Sequence, residues 1–182
     1  MHAGLLRGIK RTFFHIARIS LMPLEAAYPR RYMRIYAALL RRYGVDFTGT
    51  PRYISSSVRF DAFNLVTLGE RAVLSRNVIL LTHDYSLTTA LIAIGEPPPT
   101  DVSVNRNIRI GSNVFVGMNA ILLPGTMIED NVIVAAGSVV RGHVEGDSIV
   151  AGNPAQKVGV IRKRAEEWRN RYASQGIEID SW

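Results

Sequence analysis

The chain has no cysteine. It therefore forms no disulfide and offers no thiolate as nucleophile or metal ligand, which fits a cytoplasmic protein. It also lacks any apolar run near the roughly 20 residues that a membrane-spanning helix needs. Its N-terminus interleaves basic and apolar residues and has no clean signal-peptide core. Acids are nearly missing from the first 44 positions, where nine Lys or Arg face one acid. Residues 45–156 hold seven basic residues against ten acids, and residues 157–182 hold six against four. The basic excess thus belongs to the flanks, and a nucleic-acid groove along the centre is not what this distribution suggests. With 182 residues and 47% hydrophobic content, a single domain with a sizeable core is within reach.

An aliphatic residue recurs every sixth position at Leu68, Leu74 and Leu80, and again at Ile110, Val116, Leu122, Ile128, Val134 and Val140. Neither a helix nor a flat strand has that period. Short straight runs joined by tight corners do, so the fold class is an all-β solenoid. Four residues after each aliphatic position comes a smaller inward one, at Ala72, Val78, Val114, Ala120, Thr126, Val132, Ser138 and Val144. The fourth hexad position marks the corner and holds Asn77, Asn113, Asn119, Gly125, Asn131 and Gly137, residues that accept a left-handed backbone cheaply. Arg71 is the exception. Upstream, Ile54, Val58 and Phe60 keep most of the register, with a two-residue slip before Leu68.

His83 and His143 also fall on the corner position. After His83 the repeat is interrupted by residues 84–107, which include Pro97, Pro98 and Pro99, and it resumes in phase at Ile110. An excursion that re-enters in phase is an inserted loop, and long loops without periodicity in a compact domain are more often functional or disordered than filler.

The organisation expected is a basic helical region over 1–44, a β-helix over 45–160 with its inserted loop 84–107, and a C-terminal helix and tail over 161–182. In the first flank, Leu6, Ile9, Phe13, Ile16 and Ser20 form a stripe ringed by Arg7, Lys10, Arg11 and Arg18. Two readings stand for residues 1–22: peripheral contact with an anionic membrane, or packing on protein. The second flank carries Tyr32, Ile35, Tyr36, Leu39 and Leu40 on one face and ends at Gly44, so it is expected to cap the open first coil. The third, from Ile161 to Ala173, sets Glu166 and Glu167 against basic residues at ion-pair spacing.

The run from Ile110 to Gly125, then Val132 to Val140 and Val150-Ala-Gly-Asn-Pro-Ala155, closely resembles the hexapeptide-repeat acyltransferases, the group that includes galactoside and serine acetyltransferases. The segment Leu81-Thr-His-Asp-Tyr-Ser-Leu87 is similar to the form found in members that acetylate sugars of capsules, lipopolysaccharides or exopolysaccharides. The resemblance implies a left-handed parallel β-helix, a homotrimer with sites between neighbouring subunits, and acyl transfer from acetyl-CoA to a saccharide, without a metal. His83 matches the family's catalytic histidine. A histidine suits the task because its unperturbed pKa of about 6.5 leaves it neutral yet basic at cellular pH.

By position, acceptor contacts are expected at Asn77, one hexad before His83, and at Asp84, Tyr85 and Ser86 at the base of the loop. Asn77 reads equally as turn geometry, and Asp84 as an orienter of His83, a substrate ligand or a solvated loop acid. For coenzyme A the resemblance points to Gly117 and Met118 near the thioester and Ala135, Ala136 and Gly137 along the pantetheine wall. Asn153 and Pro154 come near the nucleotide, and Arg141, Lys157 and Arg162 near the phosphates. Other classes fit the residues less well. A γ-type carbonic anhydrase needs three histidines on zinc, and the repeat has two. A sugar nucleotidyltransferase needs a nucleotide-binding domain that 44 helical residues do not supply. N-acetyl transfer to an amino sugar and a non-catalytic scaffold remain as alternatives. The location expected is cytoplasmic, including the inner face of the cytoplasmic membrane.

Overall fold

The computed structural model describes residues 2–175, with side chains over 11–172. The predicted stripe positions Leu6 and Ile9, with Arg7 and Lys10, have side chains outside the described residues. Three helices lead in: α1 (His2–Ser20), α2 (Met22–Ala27) and α3 (Pro29–Tyr43). Five stacked coils follow. The first holds β1 (Asp46–Phe47), β2 (Tyr53–Ile54) and β3 (Arg59–Phe60), and the second β4 (Val66–Leu68), β5 (Val73–Leu74) and β6 (Ile79–Leu80). An excursion of β7 (His83–Asp84), α4 (Ser86–Ala93) and β8 (Val104–Asn105) comes next. The third coil is β9 (Ile108–Ile110), β10 (Phe115–Val116) and β11 (Ile121–Leu122). The fourth is β12 (Met127–Ile128), β13 (Ile133–Val134) and β14 (Val139–Val140), and the fifth is β15 (His143–Val144) and β16 (Ser148–Gly152). A reversed strand β17 (Ala155–Val160) and α5 (Ile161–Gln175) end the described chain.

Strands at equivalent places in successive coils pair in parallel and make three faces. The first face is β1-β4-β9-β12-β15, the second β2-β5-β10-β13-β16 with β17 antiparallel at its end, and the third β3-β6-β11-β14. The hexad aliphatics Leu68, Leu74, Leu80, Ile110, Val116, Leu122, Ile128, Val134 and Val140 all point inward and are at most 2% exposed. Only one side chain in two faces the core of such a strand. The other position therefore writes each face's character. The second face shows Tyr53, Val73, Phe115 and Ile133 outward, and the third Ile79, Ile121 and Val139 above Arg59. The first face shows Asp46, Thr67, Arg109, Met127 and His143. Two outer faces are therefore apolar and one is polar.

The corners follow the sequence closely. Left-handed φ values occur at Asn77 (60°), Asn113 (54°), Asn119 (59°), Gly125 (83°), Asn131 (57°) and Gly137 (72°), and also at Arg71 (58°). Main-chain bonds between coils hold them there: the amide of Arg71 donates to the Thr50 carbonyl, that of Asn113 to Glu70 and that of Asn119 to Arg76. Such bonds over-determine a conformation that a side chain alone would disfavour.

Neither predicted histidine corner has this form. His83 opens β7, and His143 lies in β15, with the left-handed turn taken one residue earlier by Gly142 (φ 70°). Val144 is correspondingly not a second inward position. It pairs with Ile128, sixteen residues back, whereas Ile128 pairs with Ile110, eighteen back. The last coil has lost two residues at its third corner, and the first has gained two there, around a 3₁₀ turn at Phe63–Leu65.

The helices close the open end. In α3, Tyr32, Met33, Tyr36, Ala37 and Leu40 are buried, Tyr32 donates its hydroxyl to the Ile54 carbonyl (2.9 Å), and Gly44 (φ 110°) ends the helix. The predicted face is shifted by one turn's edge: Ile35 points to solvent and Met33 inward. The α1 stripe is likewise turned outward. Phe13 and Ile16 of that stripe are 64% and 56% exposed, Ile19 outside the predicted set is 58% exposed, and Phe14 is the anchor. Its ring sits edge-on to Phe63 (4.7 Å) and Tyr43 (5.0 Å), binding α1 to α3 and to the enlarged corner of the first coil. Residues 84–107, expected as a structureless loop, contain α4 and the strand β8 that pairs antiparallel with β7.

Candidate active site

The edge between the third and first faces is where the coils depart from regularity, and His83 stands on it. The inserted excursion leaves the prism here, so the ring is carried by a short β7–β8 hairpin and is not packed into the repeat. Its Nδ1 hydrogen-bonds Asp61 Oδ2. Asp61 follows the inward Phe60 one coil below, on the enlarged corner. Its same oxygen accepts the Thr82 amide (3.1 Å) and hydroxyl (3.0 Å). Partial burial works to raise the Asp61 carboxyl, but the bonds from Thr82 and His83 outweigh it and hold the group below the ordinary aspartate range. A carboxylate on Nδ1 requires the N–H there, which leaves Nε2 with its lone pair free to accept a proton.

Two clefts meet at this ring. One, of about 560 Å³, opens towards the helices and is lined by Arg11, Tyr43, Asp61, Phe63, Asn64, His83, Tyr85, Ser103 and Asn105. Its aromatic rings and amides combine apolar walls with a few placed polar groups, the make-up of a small-molecule site. Tyr85 stands edge-on to the His83 ring at 5.3 Å. The other cleft, of about 940 Å³, runs up the same edge past Leu81, Leu87, Val104, Leu123, Pro124, Gly125 and Gly142, with Arg106 and Arg141 on its margin.

The predicted residues divide between edges. Asp84 and Ser86 line the upper cleft beside His83, but the Asp84 carboxylate accepts the Ser86 amide (2.7 Å) at the start of α4, and Asp61 is the acid on the histidine. Backbone bonding from Ser86 holds Asp84 below its ordinary range. Arg141 lies on the His83 edge. Asn77, Gly117, Met118, Ala135, Ala136 and Gly137 stack instead on the edge between the second and third faces, and line neither cleft. Gly117 has a packing reason of its own, since a Cβ there would come within 2.5 Å of the Ala136 amide nitrogen. Asn153 and Pro154 form the exposed β16–β17 turn at the end of that stack. Lys157 pairs with Glu145 (3.3 Å), and Arg162 is exposed on α5. His143 pairs with Glu129 (2.9 Å) on the first face, away from both clefts. Among the described residues no cluster of three His, Cys, Asp or Glu is placed to hold a metal ion.

Asp61, Arg11, Tyr43, Phe63, Asn64 and Asn105 also line the lower cleft, and no site motif in the sequence points to them. Asp61 alone carries a sequence signal: it is an acid just after an inward aromatic, one coil before the histidine.

A parallel β-helix with this six-residue repeat defines a class, and comparison with known proteins agrees. The bacterial transferase hexapeptide (six repeats) pattern matches residues 107–142. Protein CapG of Staphylococcus aureus is 34% identical over 125 residues, spanning 67% of this chain and 69% of CapG. The candidate lipopolysaccharide biosynthesis O-acetyl transferase WbbJ of Escherichia coli K12 is 27% identical over 128 residues, 69% of this chain and 65% of WbbJ. The hexapeptide-repeat acetyltransferase VCA0836 of Vibrio cholerae, solved with acetyl coenzyme A, superposes with a TM-score of 0.52 at 20% identity, covering 82% of this chain and 88% of that one. The chain belongs to the hexapeptide-repeat transferases, and its solenoid is the left-handed β-helix of that family. It spans less than two thirds of the length of several relatives, 65% of WbbJ and 48% of the galactoside O-acetyltransferase of Escherichia coli K12.

Proposed function

We propose that the protein is an acetyl-CoA-dependent O-acetyltransferase acting on a saccharide of a cell-surface polysaccharide or its precursor. One observation carries this reading: a histidine whose Nδ1 is fixed by a carboxylate stands where two clefts meet. The sugar occupies the lower cleft and the thioester arm the upper. His83 Nε2 takes the proton as the acceptor oxygen attacks the thioester carbonyl carbon. Asp61 stabilises the imidazolium, the C–S bond breaks, and His83 returns the proton to the departing sulfur. The names of WbbJ and galactoside O-acetyltransferase support a sugar hydroxyl over the amine alternative.

The upper cleft fits a coenzyme A arm in its chemistry, with an apolar, glycine-relieved floor at Gly125 and Gly142 and the cations Arg106 and Arg141 to meet phosphates. Gly117, Met118 and Ala135 to Gly137 reach such an arm only from a neighbouring copy, because in one chain they lie on another edge. The apolar outward columns of the second and third faces support a homotrimer packed through those faces. The outward stripe Phe13, Ile16 and Ile19, on a flank rich in arginine, supports peripheral contact with an anionic membrane. No helix of the described residues is long and apolar enough to cross one. Replacing these three residues by Gln is expected to abolish sedimentation with anionic vesicles; unchanged sedimentation would remove the membrane from this proposal.

The deciding experiment follows free-thiol release from acetyl-CoA across glycosides, nucleotide sugars and polysaccharide fragments. Wild type is expected to turn over with one acceptor class, and His83→Ala to lose at least about a hundredfold. Equal rates in the two proteins would refute the assignment of the base. Absence of both turnover and acetyl-CoA binding would favour the scaffold.

A further inference from the structure

We propose that Arg11 makes the lower cleft selective for saccharides that carry an oxyanion close to the acetylated hydroxyl. The inference rests on the reading of that cleft as the acceptor site. Among its described lining residues, Arg11 is the one permanent cation. Its Nη2 donates to the Asp61 carbonyl oxygen at 2.7 Å, and His83 bonds the carboxylate of the same residue. The guanidinium and the base are therefore held one residue's width apart, both on Asp61.

The charge of Arg11 has been left unspent. Its recorded acceptor is a neutral main-chain oxygen, and among the described residues no carboxylate lies within ion-pair range of it. Asp61 does not fill that role, because Arg11 bonds its main-chain carbonyl and its carboxylate is turned to Thr82 and His83, outside ion-pair range of the guanidinium. A guanidinium has five donors in a planar fork and no acceptor. One donor on Asp61 fixes the fork, and the rest match the oxygens of a carboxylate or a phosphate. Simple stapling of α1 to the corner would need no charge, since Phe14 already packs on Phe63 and Tyr43.

The test measures binding of matched ligands to the full chain by calorimetry without acetyl-CoA. Methyl uronosides, glycosyl 1-phosphates and neutral methyl glycosides are compared in the gluco, galacto and manno series. Wild type is expected to favour an anionic member over its neutral partner by about tenfold or more, as a charged hydrogen bond provides. The uronoside and phosphate arms identify which oxyanion is read. Arg11→Gln is expected to bring the ratio near one, and Arg11→Lys to restore part of it. No preference in any wild-type series would overturn the proposal, with or without a folded variant. So would Arg11→Gln weakening charged and neutral ligands equally, the mark of a structural staple. Because binding is read without turnover, failure of acetyl transfer would bear on the catalytic reading alone.

Discussion

Asp61 does three things with one side chain and its carbonyl: it bonds the backbone of Thr82, orients His83 and tethers Arg11. Asp61→Asn keeps the size and removes the charge that stabilises an imidazolium. Its kcat is expected to fall by about a hundredfold or more, with acetyl-CoA binding retained. The double variant with His83→Ala should be no slower than His83→Ala alone, because the two act as a unit; additive losses would separate them. The histidine was legible in the sequence because motif and interruption coincide there. Its partner was not, because the enlarged first-coil corner stretches the coil spacing there from eighteen to twenty, and Asp61 bonds a residue two further on, twenty-two away. Arg11 was legible only as part of a basic flank, since nothing periodic says which turn of α1 reaches the cleft.

Among the elements, α2 shows how the helical flank is tied to the solenoid. Glu25 accepts the Tyr53 hydroxyl (2.5 Å), the Ser55 hydroxyl (3.0 Å), the Ser56 amide (3.2 Å) and the Ser56 hydroxyl. Burial opposes its ionisation, yet these donors prevail and the carboxyl lies below the ordinary glutamate range. A carboxyl depressed by folding contributes stability that is complete above its unfolded value and lost as pH falls through the folded one. Glu25→Gln is therefore expected to destabilise by at least about 1 kcal/mol near neutral pH. The gap in melting temperature to wild type should narrow as pH drops below 4.5, the reference glutamate value. A gap constant down to pH 3 would mean that the carboxylate is not what holds α2. The sequence announced α3 through its amphipathic face and Gly44, but not α2, whose six residues are held by this one acid. The two corners that changed length were equally hard to read. The first showed as a slip before Leu68, whereas the last hid because Val144 suits either inward position.

For the whole molecule, the uneven outer faces make a prediction about assembly. Ile121 is central on the third face, flanked in register by Ile79 and Val139, and its side chain is not part of the core. Ile121→Glu is expected to leave the fold intact and shift sedimentation from trimer to monomer, since a charge at the centre of an apolar contact is left unpaired. An unchanged trimer would place the subunit contact elsewhere. The inward hexads made the prism legible, but the outward columns emerge only when residues eighteen apart are stacked.

The strand β17 runs against all the strands below it, and α3 lies across the other end. A stack of parallel coils is in principle a filament, because each new coil offers its successor the same open edge. Here the top edge of the second face has the wrong polarity to template another parallel coil, and the bottom is covered by Tyr32, Tyr36 and Leu40. The molecule is thus a fragment of a potentially endless lattice, stopped at each end by an element that does not continue the repeat.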